Sequence, residues 1–269
     1  MRWWLAVLVC GCGRIGFPET GTIDSSTGDS RLADGRAHDG PSVSADGPST
    51  TASAYAYWKF DELTGTIATD QIGNQHPMTM VNGPVWGPGQ VGGAVTADGV
   101  NDFGRVPSLD FTATTSKAVT VAFWVNRVYS AGPRHTLLEL SGDFNTVMTG
   151  FGIFPDDTTT CFAGQIMVGL QGDVGYNMSC FAQPTSGAWH HLVAVFDKSR
   201  PANNEVTLYI DGTEQTPVAV PNVSDNTNGF GALPLYLFSR AGTMEQNAGT
   251  VDDLIIWTRA LTPLEISQL

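Results

Sequence analysis

The sequence predicts an all-β protein built as an antiparallel two-sheet sandwich or jelly roll. About a dozen short apolar segments follow one another over roughly 215 residues, and this number and spacing favour two packed sheets. The 31 glycines and 15 prolines favour turns over helices, and no long segment has the periodicity of an amphipathic helix. The hydrophobic fraction of 42% is sufficient for a core between two sheets.

The strongest strand prediction is a hairpin in the middle of a large sheet. Residues 189–197 are nearly all β-branched, aromatic or aliphatic, which is typical of a strand buried on both faces. Residues 206–210 alternate between apolar and other side chains, with the period of two expected of a second strand. The segment 198–204 between them is polar and contains Pro201, so we expect a turn there.

The other strands are predicted from similar short apolar segments, separated by loops rich in Gly, Pro, Asn and Asp. A glycine- and proline-rich connection at 83–93 and a tight loop at 98–102 separate the early strands. In chain order the predicted strands are 55–60, 78–81, 94–97, 104–106, 119–128, 135–140, 147–154, 161–170, 175–181, 233–238 and 251–257.

Residues 1–12 are predicted to be a lipoprotein signal peptide. One positive charge precedes an apolar run that is too short to span a bilayer as a helix, which needs about 20 residues. The end of the run resembles a bacterial lipobox, in which a small residue precedes the lipidated cysteine. Gly11 precedes Cys12, whereas a bulkier valine precedes Cys10, so Cys12 is the predicted lipidation site. A chance apolar N-terminus or a misassigned start codon is the alternative.

Residues 13–53 are predicted to be a disordered linker, and the folded domain is expected over 54–269. The linker is rich in Ser, Thr, Gly, Asp and Ala and has few large apolar residues, so little burial could offset the entropy of ordering it. Asp-Gly recurs at Asp34, Asp39 and Asp46 with irregular spacing, which indicates low complexity rather than calcium-binding repeats.

The charge balance excludes two classes of partner. Thirteen basic and 26 acidic side chains give a net charge of -13. Nucleic acids and anionic membrane surfaces are bound by clusters of Lys and Arg. We therefore expect no nucleic-acid partner, and membrane contact only through the lipid anchor, at the outer membrane or cell surface unless the protein is secreted. The sequence does not predict the oligomeric state.

Six motifs of the folded part occur in a recognisable order: Trp58-Lys-Phe-Asp-Glu62, Ala94-Val-Thr-Ala-Asp-Gly-Val-Asn-Asp-Phe103, Val121-Ala-Phe-Trp-Val125, Trp189-His-His-Leu-Val-Ala-Val195, Leu208-Tyr-Ile-Asp-Gly212 and Val251-Asp-Asp-Leu-Ile-Ile-Trp-Thr-Arg-Ala-Leu261. Together they resemble the laminin-G-like, concanavalin-A-like jelly-roll domains of secreted and surface proteins. The resemblance implies a jelly roll over 54–269 that ends in a short helical turn at 260–266. Lectins, adhesion modules, pentraxins and glycosidases share this fold, so it does not decide the function.

Cys161 and Cys180 are predicted to form a disulfide across two adjacent strands. In an exported domain the pair would be oxidised, and closing this loop would stabilise the fold by about 3 kcal/mol in the chain-entropy model. Two buried thiols or half of a zinc site are the alternatives, although the sequence has no Cys-x-x-Cys pair to complete a zinc site.

A cluster of acidic residues suggests a structural calcium site. Side-chain oxygens at short spacing suit Ca²⁺, which takes 6–8 oxygen ligands, and the resemblance implies calcium bound by corresponding loops. The candidate ligands are Asp98, Asn101, Asp102, Asp252 and Asp253, with Asp61 as a weaker addition. Many relatives carry an Asp where this chain has Asn101. The alternative is that residues 98–102 simply form a turn.

Catalytic chemistry is not expected. His190 and His191 are adjacent on a strand and point to opposite faces, so they cannot share a metal and are interpreted as packing residues. Retaining glycosidases place two carboxylates about 5–5.5 Å apart, but Glu205, Asp211 and Glu214 are too far apart along the predicted hairpin. The sequence lacks the compact Glu-x-Asp-x-x-Glu run of laminarinases with this fold.

Four tryptophans fall within predicted strands and are expected in the core: Trp58, Trp124, Trp189 and Trp257. Trp86 is predicted to lie beneath the 83–93 connection. Tyr129, Phe144, Tyr176 and Phe230 are the predicted exposed aromatics. These features predict a surface-anchored binding module that recognises a carbohydrate or a protein partner through its loops, with calcium as a candidate structural cofactor. An envelope interaction protein without sugar specificity and a glycosidase-related domain are the alternatives.

Overall fold

The computed structural model describes residues 50–113, 117–130, 132–142, 149–162 and 164–269. The predicted signal peptide with Cys12, most of the predicted linker and Phe144 lie outside the described residues. Thr50–Ser53 forms a 3-10 turn, and the indole N–H of Trp257 donates to the carbonyl of Thr50 at 2.9 Å. The folded part therefore includes four residues that the sequence assigns to the linker.

Two antiparallel sheets account for the strands of the described residues, as the sequence predicts. The strands are β1 (Ala56–Trp58), β2 (Ile67–Ala68), β3 (Met78–Val81), β4 (Val85–Pro88), β5 (Gly93–Asp98), β6 (Phe103–Asp110), β7 (Ala118–Asn126), β8 (Leu138–Leu140), β9 (Phe151–Phe154), β10 (Gln165–Gln171), β11 (Tyr176–Ala182), β12 (Trp189–Asp197), β13 (Val206–Ile210), β14 (Thr213–Glu214), β15 (Ala219–Asn222), β16 (Ala232–Leu237) and β17 (Ala248–Trp257). Short helices are the 3-10 turns Thr50–Ser53 and Ala202–Asn204 and the single-turn α1 (Pro263–Ile266). Within the described part, no helix is long and apolar enough to cross a membrane.

The strand order is that of a jelly roll. The first sheet has eight strands in the order β14-β13-β12-β7-β17-β5-β4, with β1 paired to β17. The second has nine strands in the order β15-β11-β10-β9-β8-β16-β6-β3-β2. Most neighbours are not consecutive in sequence, because the chain crosses repeatedly from one sheet to the other. The predicted hairpin is β12–β13, but only β12 is central, since β13 lies next to the edge strand β14.

The main core lies between the two sheets. Alternate residues of β7 and β12, such as Phe123 and Leu192, face Ile153 and Val168 of the second sheet and are fully buried. This alternation is the period of two that predicts each strand. A smaller cluster covers the outer face of the first sheet, where Ile266 of α1 packs with its neighbours. The helical turn predicted at 260–266 is thereby confirmed.

The disulfide Cys161–Cys180 is confirmed, with a Cα–Cα distance of 5.7 Å. Its position differs from the prediction, because Cys161 lies in the loop before β10 rather than in a strand. The bond attaches this loop to β11 of the second sheet. Both sulfurs pack in a small apolar cluster with Phe154 and Met167.

Candidate functional site

A polar cleft of about 370 Å³ opens at the edge of the sandwich, where β13 and β14 of the first sheet meet β11 of the second. We refer to it as the edge cleft. Phe181 and Val206 form its apolar floor, and both side chains belong to the core between the sheets. Its polar lining residues are Arg200, Asn203, Asn204, Thr207, Glu214 and Gln215.

Two turns, one at each end of β13, bring these polar residues to the cleft. Pro201, with φ of -53°, precedes the 3-10 turn Ala202–Asn204, and the backbone N–H of Asn204 donates to the Pro201 carbonyl at 2.7 Å. Asp211 and Gly212 have φ of 51° and 75°, which suits the tight turn between β13 and β14. The sequence places an Asp and a Gly at these positions because both tolerate positive φ.

The charged groups of the edge cleft have partners within the protein. Arg200 donates from Nη1 to Thr207 Oγ1 at 3.2 Å and pairs through Nε with Asp197 Oδ2 at 3.3 Å. Glu214 accepts a hydrogen bond from the hydroxyl of Tyr209 at 2.9 Å. Burial, reinforced by that hydrogen bond, raises the pKa of Tyr209 to about 12, so Tyr209 remains a donor at neutral pH. The cleft thus contains one cation and one carboxylate, each already paired.

Two amides supply the hydrogen-bonding capacity that remains. Asn203 and Asn204 are exposed, and their side chains form no hydrogen bond with any described residue. Each amide can donate twice and accept twice. A cleft with amide donors and acceptors above an apolar floor suits a polar ligand that carries both donors and acceptors.

The predicted calcium loop is the turn between β5 and β6. Asp98 Oδ1 accepts from the N–H of Val100 at 2.8 Å, and Asp102 Oδ2 accepts from the N–H of Asp98 at 3.2 Å. The carbonyl of Asn101 accepts from the side chain of Asn82 at 2.8 Å. Burial raises the pKa of Asp102. These bonds stabilise the turn, which is the alternative that the sequence left open, and calcium binding by this loop stays a prediction.

Asp252 and Asp253 lie elsewhere on the sheet. Asp98 pairs with Ala248, so Asp252 is four residues further along β17, about 13 Å away at the rise of a strand. A β-bulge follows Asp252, and Asp253 has φ of 50° within it. The structure therefore does not bring the five predicted calcium ligands together.

Asp252 instead meets the turn between β4 and β5, and the weaker candidate Asp61 contacts the end of the same turn. Asp252 is fully buried; Oδ2 accepts from the N–H of Val91 at 2.8 Å, and Oδ1 has no partner among the described residues. Asp61 Oδ1 accepts from the N–H of Gly93 at 2.6 Å in the same turn. Burial is the main reason that the pKa of Asp252 is raised to about 6. A Cβ at Gly89 would overlap both the Gly93 carbonyl and the Asp252 carboxylate.

The donor chemistry of these groups determines whether they can bind calcium. No three His, Cys, Asp or Glu side chains in the described ranges are arranged to hold a metal. A calcium ion beside Asp252 would therefore need backbone carbonyls, which calcium sites commonly include. The unpartnered Oδ1 of Asp252, and the oxygens of Asp61 and Gly93 at the same turn, are oxygen donors of the type that calcium takes.

The paired histidines have separate partners, as the sequence predicts. His190 Nδ1 lies 2.7 Å from Asp211 Oδ2. His191 points to the outer face of the first sheet, where its ring lies 5.0 Å from that of Trp124, between centroids. Burial lowers the pKa of His191 to about 4, so its imidazole is neutral at neutral pH.

The predictions for aromatic side chains were correct in part. Trp58 and Trp257 are fully buried, the latter in the cluster on the outer face of the first sheet, whereas Trp124 and Trp189 are only half-buried. Phe230, predicted to be exposed, is buried against Phe151 in the core. Three further aromatic side chains are partly buried and pack against apolar clusters: Trp86, Tyr129 and Tyr176.

Comparison with protein families identifies the domain. Residues 98–267, more than half of the chain, match the laminin-G model described as the concanavalin A-like lectin/glucanases superfamily. The chain belongs to this superfamily. No curated protein has a sequence that matches the chain.

Solved structures of this superfamily's fold resemble the protein at low sequence identity. Domain 4 of AbnA, an extracellular arabinanase of Geobacillus stearothermophilus solved with arabinotriose, has a TM-score of 0.59 and 22% identity, covering 80% of this chain and 97% of that one. Trypanosoma rangeli sialidase in complex with the inhibitor DANA gives 0.56 and 14%, covering 80% and 32%. The binding domain of botulinum neurotoxin DC with rat synaptotagmin II gives 0.58 and 12%, covering 81% and 51%. The chain thus spans a third to a half of the latter two.

The sequence does not predict the edge cleft. The segment 198–204 is predicted only as a turn, although its Arg, Pro and two Asn residues are four of the ten residues that line the cleft. A polar hairpin turn with two adjacent asparagines was the available signal. The partner Phe181 comes from a different sheet, and only the folded structure brings the two together.

Proposed function

We propose that this protein is a carbohydrate-binding module and that the edge cleft holds a neutral oligosaccharide. The observation that carries the proposal is the pair of unengaged amides at Asn203 and Asn204 next to an apolar floor. Sugar hydroxyls both donate and accept, as amides do, and the apolar faces of a sugar ring suit the exposed rings of Pro201 and Pro217, which also line the cleft. A neutral ligand is favoured because Arg200 is already paired with Asp197.

Several proteins of similar fold support a carbohydrate as the ligand, although they do not bear on its charge. The arabinanase domain was solved with arabinotriose, the sialidase with difluorosialic acid, and botulinum neurotoxin type C interacts with two ganglioside molecules. The similarity is below 25% identity and concerns the fold, so the position of the site rests on the cleft itself.

We further propose that the module binds without hydrolysing its ligand. Glycosidases generally use two carboxyl groups flanking the scissile bond, whereas Glu214 is the only carboxylate among the described residues that line the edge cleft. Incubation with oligosaccharides should release no reducing sugar. Release that is abolished by Glu214→Gln would show a catalytic function instead.

Calorimetric titration with neutral oligosaccharides selected on a glycan array tests the binding site. The double substitution Asn203→Ala/Asn204→Ala should weaken binding at least tenfold, about 1.4 kcal/mol, and leave the melting temperature unchanged because both side chains are exposed. Asn222→Ala, an exposed asparagine on β15, is the matched control. Unchanged affinity in the double variant would refute the edge cleft as the site. An array with no bound glycan, together with a stable protein partner in crosslinking, would favour a protein-binding module.

We propose that calcium, if bound, is held by Asp252 and Asp61 with backbone carbonyls of the β4–β5 turn. The ion would neutralise a buried carboxylate and attach the turn to the outer face of the first sheet. Saturating calcium at 100 times its Kd should stabilise the fold by about 2.7 kcal/mol, or roughly 5–10 °C in Tm for a domain of this size. Asp252→Asn should abolish this shift and Asp98→Asn should retain it. The opposite pattern would place the ion in the 98–102 loop.

We also propose that Cys12 is lipidated and that the segment between Cys12 and the folded part tethers the domain to the cell envelope. Metabolic labelling with radioactive palmitate should label the full chain and not its Cys12→Ala variant. Cys10→Ala is the control, and labelling that follows Cys10 instead would reassign the anchor.

A further inference from the structure

A second, smaller pocket of about 240 Å³ lies on the outer face of the first sheet. Trp124 of β7 and His191 of β12 form its floor, and Ile266 and Leu269 form an apolar wall near α1. The turn residue Asp211 stands at its rim. We refer to it as the outer-face pocket. It is separate from the edge cleft, since the two share no lining residue.

The floor presents aromatic rings that carry no charge at neutral pH. Trp124 and His191 are paired across β7 and β12, with ring centroids 5.0 Å apart and planes at 38°. Trp124 is half-buried, so part of its ring surface is accessible. The face of an indole carries negative electrostatic potential and attracts cations within about 6 Å. Because burial keeps His191 neutral, that side chain adds no opposing positive charge.

A fixed carboxylate stands beside this floor. Asp211 Oδ1 accepts from the backbone N–H of His191 at 2.9 Å, and Oδ2 lies 2.7 Å from His190 Nδ1. These two contacts orient the carboxylate, while 51% of the side chain remains exposed to solvent. No Lys or Arg is among the described residues that line the pocket.

We propose that the outer-face pocket binds an organic ammonium group. Its positive charge lies over Trp124 and near Asp211, and its methyl or methylene groups contact Ile266 and Leu269. An aromatic face, an apolar wall and a carboxylate together form the combination that recognises partly desolvated ammonium ions. The net charge of -13 attracts such ligands over a longer range. This proposal does not depend on carbohydrate binding at the edge cleft.

The test compares choline with 3,3-dimethylbutan-1-ol, its uncharged carbon analogue of nearly equal shape. Calorimetry or NMR titration of the full chain should show choline binding at least tenfold more tightly than the alcohol. Asp211→Asn should weaken choline binding at least fivefold while keeping the turn, because Asn tolerates positive φ as Asp does. Trp124→Leu should reduce choline binding at least tenfold, and Trp86→Phe, on a strand outside the pocket, should leave it unchanged.

Two control measurements establish that each variant is folded and where choline binds. The thermal unfolding curve of each variant shows whether it is folded, and amide chemical-shift changes in the wild-type protein show where choline binds. Shifts confined to residues around Trp124 and Asp211 support the proposal. Equal affinity for choline and the neutral alcohol would overturn it, as would binding unaffected by Asp211→Asn. Absence of choline binding to the folded wild-type protein, or shifts mapping elsewhere, would overturn it as well.

Discussion

The buried ion pair Arg127–Asp156 provides the sharpest test of the structure's energetics. Arg127 Nη2 donates to Asp156 Oδ2 at 2.8 Å, and the two side chains are 3% and 0% exposed. Asp156 also accepts from the N–H of Ser130 and the amide of Gln183, at 2.6 and 2.8 Å. The second terminal nitrogen of Arg127 has no partner among the described residues. Asp156 is therefore the group that compensates the buried guanidinium.

Asp156→Asn should destabilise the domain by about 3–5 kcal/mol, because it leaves a buried positive charge without its counter-ion. For a domain of roughly 200 residues this lowers Tm by about 6–20 °C. Arg127→Met added to Asp156→Asn should recover about 1.5 kcal/mol or more, since the uncompensated charge is then removed as well. Arg259→Met, which breaks a more exposed pair with Glu265, should change stability by less than about 1 kcal/mol.

The pKa of Asp156 determines the sign of the pH dependence of the stability that this ion pair contributes. Burial raises the pKa of Asp156, but hydrogen bonds from His135, Arg127 and Ser130 outweigh burial and hold the pKa well below its usual 3.8. The stabilisation is therefore complete above pH 3.8 and is lost as the pH falls below it. Chemical denaturation at pH 7 and pH 3 should show a smaller difference between wild type and Asp156→Asn at pH 3. A double variant no more stable than Asp156→Asn, or an Asp156→Asn variant as stable as wild type, would refute the reasoning.

Three further predictions concern the core, the disulfide and the C-terminal helix. Phe123→Ala, which removes a fully buried ring, should cost about 3–5 kcal/mol in guanidinium denaturation. Replacing Cys161 and Cys180 by Ser should cost about 3 kcal/mol, and the melting temperature of that variant should no longer respond to reductant, unlike that of wild type. The hydrogen bond from Arg259 lowers the pKa of Glu265 to about 2, so carbon NMR should show the Glu265 carboxyl titrating below pH 4.5. The cap that Glu265 forms on α1 therefore stabilises the fold above pH 4.5, and this stabilisation is lost towards pH 2.

The fold could be predicted because its determinants are local. The alternating residues of β12 and β13 define two strands without knowledge of their partners, and the polar segment between them defines the turn. The disulfide was predicted because only two cysteines follow the leader. The loop position of Cys161 was not, because the segment Cys-Phe-Ala at 161–163 is apolar and leads directly into β10.

The sites could not be predicted because they depend on register between distant strands. The sequence suggests Asp98 and Asp252 as ligands of the same ion, but the pairing of Asp98 with Ala248 places the two residues far apart. The bulge after Asp252 is likewise set by the β7–β17 pairing. The orientation of Trp124 could not be predicted for a similar reason. Its strand is central, but whether alternate residues face the core or the outer surface depends on which sheet packs against them.

The distance between the proposed calcium site and the edge cleft leads to a final prediction. Asp252 lies on β17, whereas the edge cleft begins at β13, with β7 and β12 between them. Three strand spacings of about 4.8 Å place roughly 14 Å between the proposed calcium site and the edge cleft. Because no residue of the β4–β5 turn lines the edge cleft, chelation should lower Tm by about 5–10 °C and leave glycan affinity at 20 °C within about twofold. A tenfold loss of affinity in chelated protein that remains folded by circular dichroism would contradict this, and would mean that calcium takes part in glycan binding rather than only in holding the turn.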